Sequence, residues 1–402
     1  MACPKTRVFY LDQPPLVDDL KRVCDRSISK ETYPLASDVQ SSVPIYDLSK
    51  YAGRHTDASL VESLQDEWSH ILSQGPGAII LKKMYAIDNL EQTVDAANKV
   101  FDQILDDESR ERQSKNQDTP GNTLDRNLKA FDVFTKLAKR APQVFVHYYS
   151  NPWLALVSEA WLGFGYRFNS TLNIVPPGGV AQPAHRDFHM GFFSPDKCVK
   201  FPRLLQIANQ TLTLQGAVAH SDMPLPSGPT RFLPFSQLFE AGYMAHRRDE
   251  FQDFFESHYV SVALEKGDGV FFNPSILHAA GNNVTTDFYR SAQLIQVNSI
   301  FGKPSEWVNA VPIVDKCWAL MRDKYRKEGL SAEMKALIQA VGDGYQFPVS
   351  LDNVVRNGDI FSMKTEQDLI TEGLQADWDH DRIIQELKAS QQRRMSPFFD
   401  AL

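Results

Sequence analysis

Two histidines and an aspartate in this sequence are spaced to hold a metal ion: His185-Arg186-Asp187 and, far along the chain, His278. Side chains alternate along a strand, so the two outer residues of an H-x-D run point to the same side. A distal imidazole then completes a face of two nitrogens and one carboxylate, with the remaining positions open, as iron(II) needs if it is to bind a chelating co-substrate and oxygen together. The short motif has little specificity alone: 10 His and 50 acidic residues in 402 give about one His-x-acid run by chance. There are two others. His55-Thr56-Asp57 precedes an expected helix, where Asp57 or Ser59 serves as a cap. His220-Ser221-Asp222 ends an apolar strand and opens the proline-rich turn from Met223 to Pro229, so Asp222 reads as a turn former and this pair is the runner-up.

His185 follows the loop Pro176 to Pro183, and beyond Asp187 comes the aromatic run Phe188-His189-Met190-Gly191-Phe192-Phe193. His278 lies where a strand, Gly269 to Asn273, runs into a turn. On the next strand stands Arg290, whose guanidinium could bind a carboxylate through two parallel hydrogen bonds. Asn169, Thr171 and Asn173 share one strand face and, with Phe188, His189 and Phe192, are the expected wall of a substrate pocket.

These pieces combine as Gln182-x-x-His185-x-Asp187, then Ser227-Gly228-Pro229-Thr230-Arg231-Phe232-Leu233-Pro234-Phe235-Ser236, then Gly267-Asp268-x-x-Phe271-Phe272-Asn273-x-x-x-x-His278-x-x-Gly281-x-Asn283, then Arg290. The combination resembles the phytanoyl-CoA dioxygenase family over about residues 166 to 298, with weaker similarity from the strand after Gly77 onward. The resemblance implies a double-stranded β-helix with iron(II) on His185, Asp187 and His278. It also implies the co-substrate 2-oxoglutarate held at its far carboxylate by Arg290, with Gln182 contacting the co-substrate or the metal surroundings. Where the family often has Gly-Ser-His, this chain has Phe235-Ser236-Gln237, in a block read as structural. The implied reaction splits 2-oxoglutarate to succinate and carbon dioxide while a bound small organic molecule is oxidised, by hydroxylation or by desaturation, cyclisation or epoxidation. Specialised metabolism is one setting for it. Asp187 as a carboxylate ligand speaks against the halogenase variant. The alternative is a catalytically silent jelly-roll protein that binds metal or senses a ligand.

These residues need elements to position them. Leu60, Leu64, Trp68, Ile71 and Leu72 follow helical spacing behind a Ser59/Glu62 capping box. A short strand, Ala78 to Leu81, precedes a second helix marked by Leu90, Val94, Ala97 and Phe101, with Asp88 and Glu91 at its start; a third helix, Pro152 to Leu162, ends at Gly163. From Tyr166 short strands separated by Pro and Gly clusters are expected near 166–175, 203–209, 211–220, 230–233, 259–264, 269–273 and 290–298. Helical patterns return at Val314, Trp318, Met321 and Tyr325, at Met334 to Val341, and at Ile383 to Leu387. The expected fold is a mainly β core, a jelly roll of the double-stranded β-helix type, with flanking helices. Its divisions are a largely helical region 1–165, a catalytic core 166–302 and a helical region 303–402.

A formal charge of −8 excludes a general nucleic-acid binder, which needs excess positive charge against phosphates. The clusters His246-Arg247-Arg248 and Gln391 to Arg394 read as solvated surface. No apolar run nears the roughly 18–20 residues that cross a bilayer, and the charged first thirty residues leave no room for a signal peptide's apolar stretch. Cys3, Cys24, Cys198 and Cys317 show no metal-type spacing and read as free thiols in a cytoplasmic protein, its partners a small-molecule substrate and O2.

Asp187→Ala is expected to lower iron(II) affinity sharply and abolish turnover, since it removes one of three ligands and the only charged one. Asp222→Ala and His55→Ala are expected to retain both, measured as bound iron and succinate release. Loss in Asp222→Ala with retention in Asp187→Ala reverses the choice between the two core motifs.

Overall fold

The computed structural model describes residues 7–85, 91–114, 127–347 and 363–394. Its larger sheet has eight strands in the order β1 (Asp38–Gln40), β2 (Val43–Asp47), β3 (Ala78–Lys82), β9 (Gly269–Phe272), β6 (Thr213–Ala219), β11 (Arg290–Asn298), β5 (Arg167–Val175) and β4 (Leu128–Ala130). The smaller sheet has three, in the order β10 (Leu277–Ala279), β7 (Arg231–Leu233) and β8 (Val260–Ser261). Pairing is antiparallel except between β2 and β3. The two sheets face each other as a jelly roll flanked by helices.

Period-two alternation explains how one sheet serves two cores. Ile79 and Leu81 on β3 and Ile295 and Val297 on β11 enter a large core beneath the helices. Ala78 and Ile80, their neighbours in sequence, and Ala292 turn the other way, into the space between the sheets, with Val270, Phe272, Phe232 and Leu264. The helical layer draws on both ends of the chain, because Ala310–Glu328 packs on Val133–Arg140 and Pro142–Tyr149 as well as on Ala332–Val341. The face of β11 away from the helices, with Arg290, Ala292 and Leu294, is thereby free to line a cavity.

Several local expectations change. Residues 203–209 are a helix, Arg203–Asn209, instead of a strand: no strand pairs with them, and the Gln206 side chain donates to the carbonyls of Cys198 (2.9 Å) and Phe201 (3.2 Å), closing a compact turn. Leu277–Ala279, expected as a turn, is a strand because Leu277 and His278 pair with Leu233 and Phe232. Strands β1 and β2 were not anticipated; they extend the sheet through the parallel β2–β3 pair. Asp57, not Ser59, caps Ala58–Ser73, accepting from the Leu60 N–H at 3.3 Å. The helix Glu91–Ser114 is present, while Asp88 and Leu90 lie outside the described residues. Pro152–Leu162 ends on Gly163 at φ 71°, a conformation glycine adopts without a Cβ clash. Cys24, Cys198 and Cys317 are unpaired, and Cys3 lies outside the described residues.

Leu172→Ala, which empties a site under the helices where the leucine is 1% exposed, is expected to lower the unfolding free energy by about 2–5 kcal/mol. Leu204→Ala, at 79% exposure, should change it by no more than about 0.5 kcal/mol, both read from urea unfolding.

Candidate metal centre

His185 and His278 face each other as an isolated antiparallel bridge. The His185 N–H donates to the His278 carbonyl at 3.0 Å, and the His278 N–H donates back at 3.1 Å. Residues paired in this way project their side chains to one face, which brings the ring centroids to 4.4 Å. Two positions on, Asp187 returns to that face, and its N–H donates to the Pro274 carbonyl at 2.8 Å, so the same segment holds it in register. Asp187 Oδ2 lies 3.9 Å from His185 Nε2 and 3.8 Å from His278 Nε2. All three ligand atoms lie within 4.8 Å of one another, and among the described residues this is the group of three that could hold a metal.

The imidazoles are set up as ligands. His185 Nδ1–H donates to the Pro183 carbonyl at 3.0 Å and His278 Nδ1–H to the Ile276 carbonyl at 2.9 Å. Each bond leaves the Nε2 lone pair directed at the shared space. Burial, reinforced by the neighbouring His185, holds the His278 imidazole down at about 4, so it is neutral and able to ligate at physiological pH. Gln215, on β6, completes the arrangement: its Nε2 donates to Asp187 Oδ2 at 2.7 Å and turns the carboxylate toward the histidines. The sequence reading missed Gln215, for which the available signal was a lone amide in the apolar strand Thr213–Ala219.

Arg186, between two of the ligands, points the opposite way and is completely buried. Its Nη2 donates to the carbonyls of Ser236 and, at 3.0 Å, Phe239, and the guanidinium stands 5.6 Å from the Tyr243 ring. Burial lowers its pKa to about 10, which still leaves a cation at neutral pH. The group fits because residue 242 is glycine: a Cβ there would lie 1.9 Å from Arg186 Cζ. Tyr243 bonds Ser275 at 2.8 Å and receives the Asn209 amide at 3.1 Å, while the same amide holds the Phe188 carbonyl at 2.7 Å. The ligand segment is thus clamped on the side away from the metal face.

A cavity of about 770 Å³ opens over the three ligands. Arg290 lines it, 5% exposed, with its pKa lowered by burial to about 10 and no hydrogen-bond or ionic partner among the described residues. A buried guanidinium without a counter-charge is costly, so this one suits an incoming carboxylate. Gln182 also lines the cavity; its N–H donates to the Ala280 carbonyl at 3.2 Å and its carbonyl accepts from Arg231 Nη2 at 2.8 Å. Of the expected wall, Asn173, Phe188 and Phe192 line the cavity and three residues do not. Thr171 shares the face of β5 but lies away from the lining. Asn169 donates to Ser305 Oγ at 3.2 Å, and His189 Nε2–H to the Lys303 carbonyl at 2.7 Å, so both tie down the segment after β11 instead.

The other H-x-D motifs are elsewhere. Asp57 caps a helix and His55 Nε2 meets Glu333 at 3.1 Å. The buried His220 is held between Asn98 Oδ1 (2.6 Å) and the Tyr148 hydroxyl (2.9 Å), and Asp222 accepts from the Lys266 N–H at 2.9 Å in the turn expected of it. Within the cluster at 246 only His246 departs from solvated surface, being 2% exposed; Arg247 is exposed as expected, and both residues line the cavity.

A model of the phytanoyl-CoA dioxygenase family matches residues 73–292 of this chain. The dioxygenase andF of Emericella variicolor is 25% identical over 145 residues, 35% of this chain and 45% of that protein, so the match spans less than half of the relative's length. Among solved structures, the non-haem α-ketoglutarate-dependent carbocyclase SnoK from nogalamycin biosynthesis is 17% identical, over 60% of this chain and 86% of its own, with a TM-score of 0.43. EctD from S. alaskensis is 16% identical, over 59% and 78%, with a TM-score of 0.42.

Replacing Gln215 by Leu is expected to weaken iron(II) binding on the order of 10- to 100-fold, the usual effect of removing a group that orients a ligand. Gly242→Ala, which drives Arg186 against its clamp, should shift affinity the same way. Competition with a chelating indicator measures both, and unchanged affinity in Gln215→Leu would show that the amide does not orient Asp187.

Proposed function

The chain belongs to the phytanoyl-CoA dioxygenase family; from that premise we propose that it is a non-haem iron, 2-oxoglutarate-dependent dioxygenase, that His185, Asp187 and His278 hold the iron, that Arg290 receives the far carboxylate of 2-oxoglutarate, and that a C–H bond of a small organic molecule is oxidised. The donor set supports the metal, since two imidazoles and one carboxylate on a single face suit iron(II) with open positions. The observation that carries the co-substrate is Arg290, buried, facing the cavity and without a partner among the described residues.

Iron with 2-oxoglutarate supplies oxygen activation coupled to oxidative decarboxylation, and with it the power to remove hydrogen from carbon. The rest falls to the protein. The Pro183 and Ile276 carbonyls fix the tautomers of the two histidines, and Gln215 sets the angle of Asp187. Arg290 accepts a carboxylate in bidentate fashion at the edge of β11, which anchors one end of a co-substrate whose other end reaches the metal face. Met223, Leu264, Val270, Phe272 and Leu294 form an apolar wall that excludes water from the reacting atoms. About 770 Å³ admits the co-substrate and a drug-sized molecule together. Gln182, Asn173, Phe188 and Phe192 are the proposed contacts for the bound organic molecules. No helix among the described residues is long and apolar enough to cross a membrane; a cytoplasmic setting is part of the proposal.

Arg290→Leu is expected to preserve folding and iron content and to weaken 2-oxoglutarate binding by about 2–4 kcal/mol, the cost of stripping a buried charged group of its partner. The apparent KM for 2-oxoglutarate should then rise on the order of a hundredfold, with little change for the prime substrate. Succinate release measured against 2-oxoglutarate concentration checks this, and an unchanged dependence removes Arg290 from the co-substrate site. A screen of organic molecules by the same assay identifies what couples to turnover; no succinate under iron(II) with any of them favours the catalytically silent alternative.

A further inference from the structure

The cavity holds more cations than the proposed reaction uses. Asp187 is the one acid among its described lining residues, whereas Arg290, Arg247, Arg186 and Lys129 are all among them; Arg186 is taken up by the carbonyls of Ser236 and Phe239, and Lys129 has a partner of its own. On the reading above, the two charges of iron(II) and the one of Arg290 are matched by Asp187 and the two carboxylates of 2-oxoglutarate. Arg247 is left over. It forms no ion pair with any described residue, and its Nη1 has no partner among them, whereas its Nε donates to His246 Nε2 at 3.3 Å and its Nη2 to the Gly191 carbonyl at 2.7 Å.

Those two bonds distinguish Arg247 from an ordinary surface arginine. His246 is buried, and its Nδ1–H donates to the Gly242 carbonyl at 3.2 Å, so it cannot follow a moving guanidinium. Gly191 is packed onto the ligand segment itself: a Cβ there would lie 1.7 Å from the Arg186 carbonyl oxygen, one residue from both His185 and Asp187. The guanidinium of Arg247, an exposed residue that also lines the cavity, is thereby held by two bonds beside the ligand segment, with Nη1 without a partner among the described residues. Preorganised planar donors of this kind recognise carboxylates with little entropic cost. Met223, Leu264, Phe272 and Leu294 give one part of the wall an apolar surface, beside the polar Asn173, Thr230, Gln252 and Gln296.

We propose that Arg247 binds a carboxylate on the prime substrate, so that the enzyme acts on organic acids with an apolar body; this rests on the reading of the metal and co-substrate given above. The salt bridge would fix the acid end at the cavity mouth and lay the hydrocarbon along the β6–β9–β11 face, which presents one region of it to the metal. Specificity then comes from the distance between Arg247 and the metal face.

Zinc(II)-substituted protein saturated with N-oxalylglycine, an unreactive stand-in for 2-oxoglutarate, tests this by calorimetry without turnover. The probes are 2-naphthoate and deoxycholate, each beside its neutral amide. At least one acid is expected to bind about tenfold or more tighter than its amide; Arg247→Leu should reduce that ratio to within about twofold, and Arg247→Lys should keep part of it. No preference for either acid in the wild type, or a ratio unchanged in Arg247→Leu, overturns the assignment. N-oxalylglycine binding is itself a separate control: if it fails in the wild type, or is as strong in Arg290→Leu, the metal and co-substrate reading fails, whereas normal N-oxalylglycine binding with no acid preference sinks only the role of Arg247.

Discussion

Two main-chain hydrogen bonds between His185 and His278 carry the arrangement of the metal face. They join a segment leaving β5 to the short strand β10, elements nearly a hundred residues apart, and they set both imidazoles on one side. Asp187 reaches that side only because its own N–H continues the pairing to Pro274. A one-residue slip in this register would send the ligands to opposite faces. Much of the surrounding structure prevents such a slip: β10 is pinned to β7, the Leu277 N–H is held by Ser236 Oγ at 2.7 Å, and Arg186 ties the ligand segment to the carbonyls of Ser236 and Phe239.

Charge is distributed around that face with a clear asymmetry. Arg186 is buried behind the ligands, Arg290 is buried at the far side of the cavity and Arg247 stands at its mouth, while Asp187 alone is negative among the described lining residues. Buried cations without carboxylate partners cost stability in the empty protein. Arg186 offsets part of that cost through carbonyl acceptors and the Tyr243 ring, and it keeps the segment rigid in return. Arg290 has no such compensation among the described residues, which is what supports the carboxylate-binding role proposed for it. The positive field also favours entry of anions into the cavity.

Rigidity comes from the large sheet, which is packed on both faces. Its helix-facing side chains belong to one extensive core built from both ends of the chain, and its other face gives up part of the inter-sheet core to the cavity. The segment after β11 is tied to the other elements by side-chain bonds, as Lys303 is to His189 and Ser305 is to Asn169 and Gln296. A sheet packed on both faces holds the three metal-ligand candidates in place, while loops supply part of the cavity wall.

What could be read from residues alone was what depends on local pattern. The alternation in β5 and β11, the H-x-D run, the glycine after Pro152–Leu162 and the helical spacing of Trp318 and Met321 each encode their consequence within a few positions, because side-chain direction follows from backbone period. The motif series also carried the family, and with it the expectation for Arg290. Other features arise only when distant segments meet. Leu277–Ala279 is a strand because β7 offers it a partner; Arg203–Asn209 is a helix although its apolar residues resemble a strand; and the carboxylate of Asp187 is oriented by Gln215, whose lone amide stands out in its apolar strand without recording which carboxylate it will meet. Tertiary structure likewise separated three similar motifs, placing His55 against Glu333 and His220 between Asn98 and Tyr148. It also took Arg247 from an apparent surface cluster to the mouth of the cavity. A side chain's partner, unlike its direction, is set by which remote backbone comes to lie beside it, and neither composition nor spacing records that.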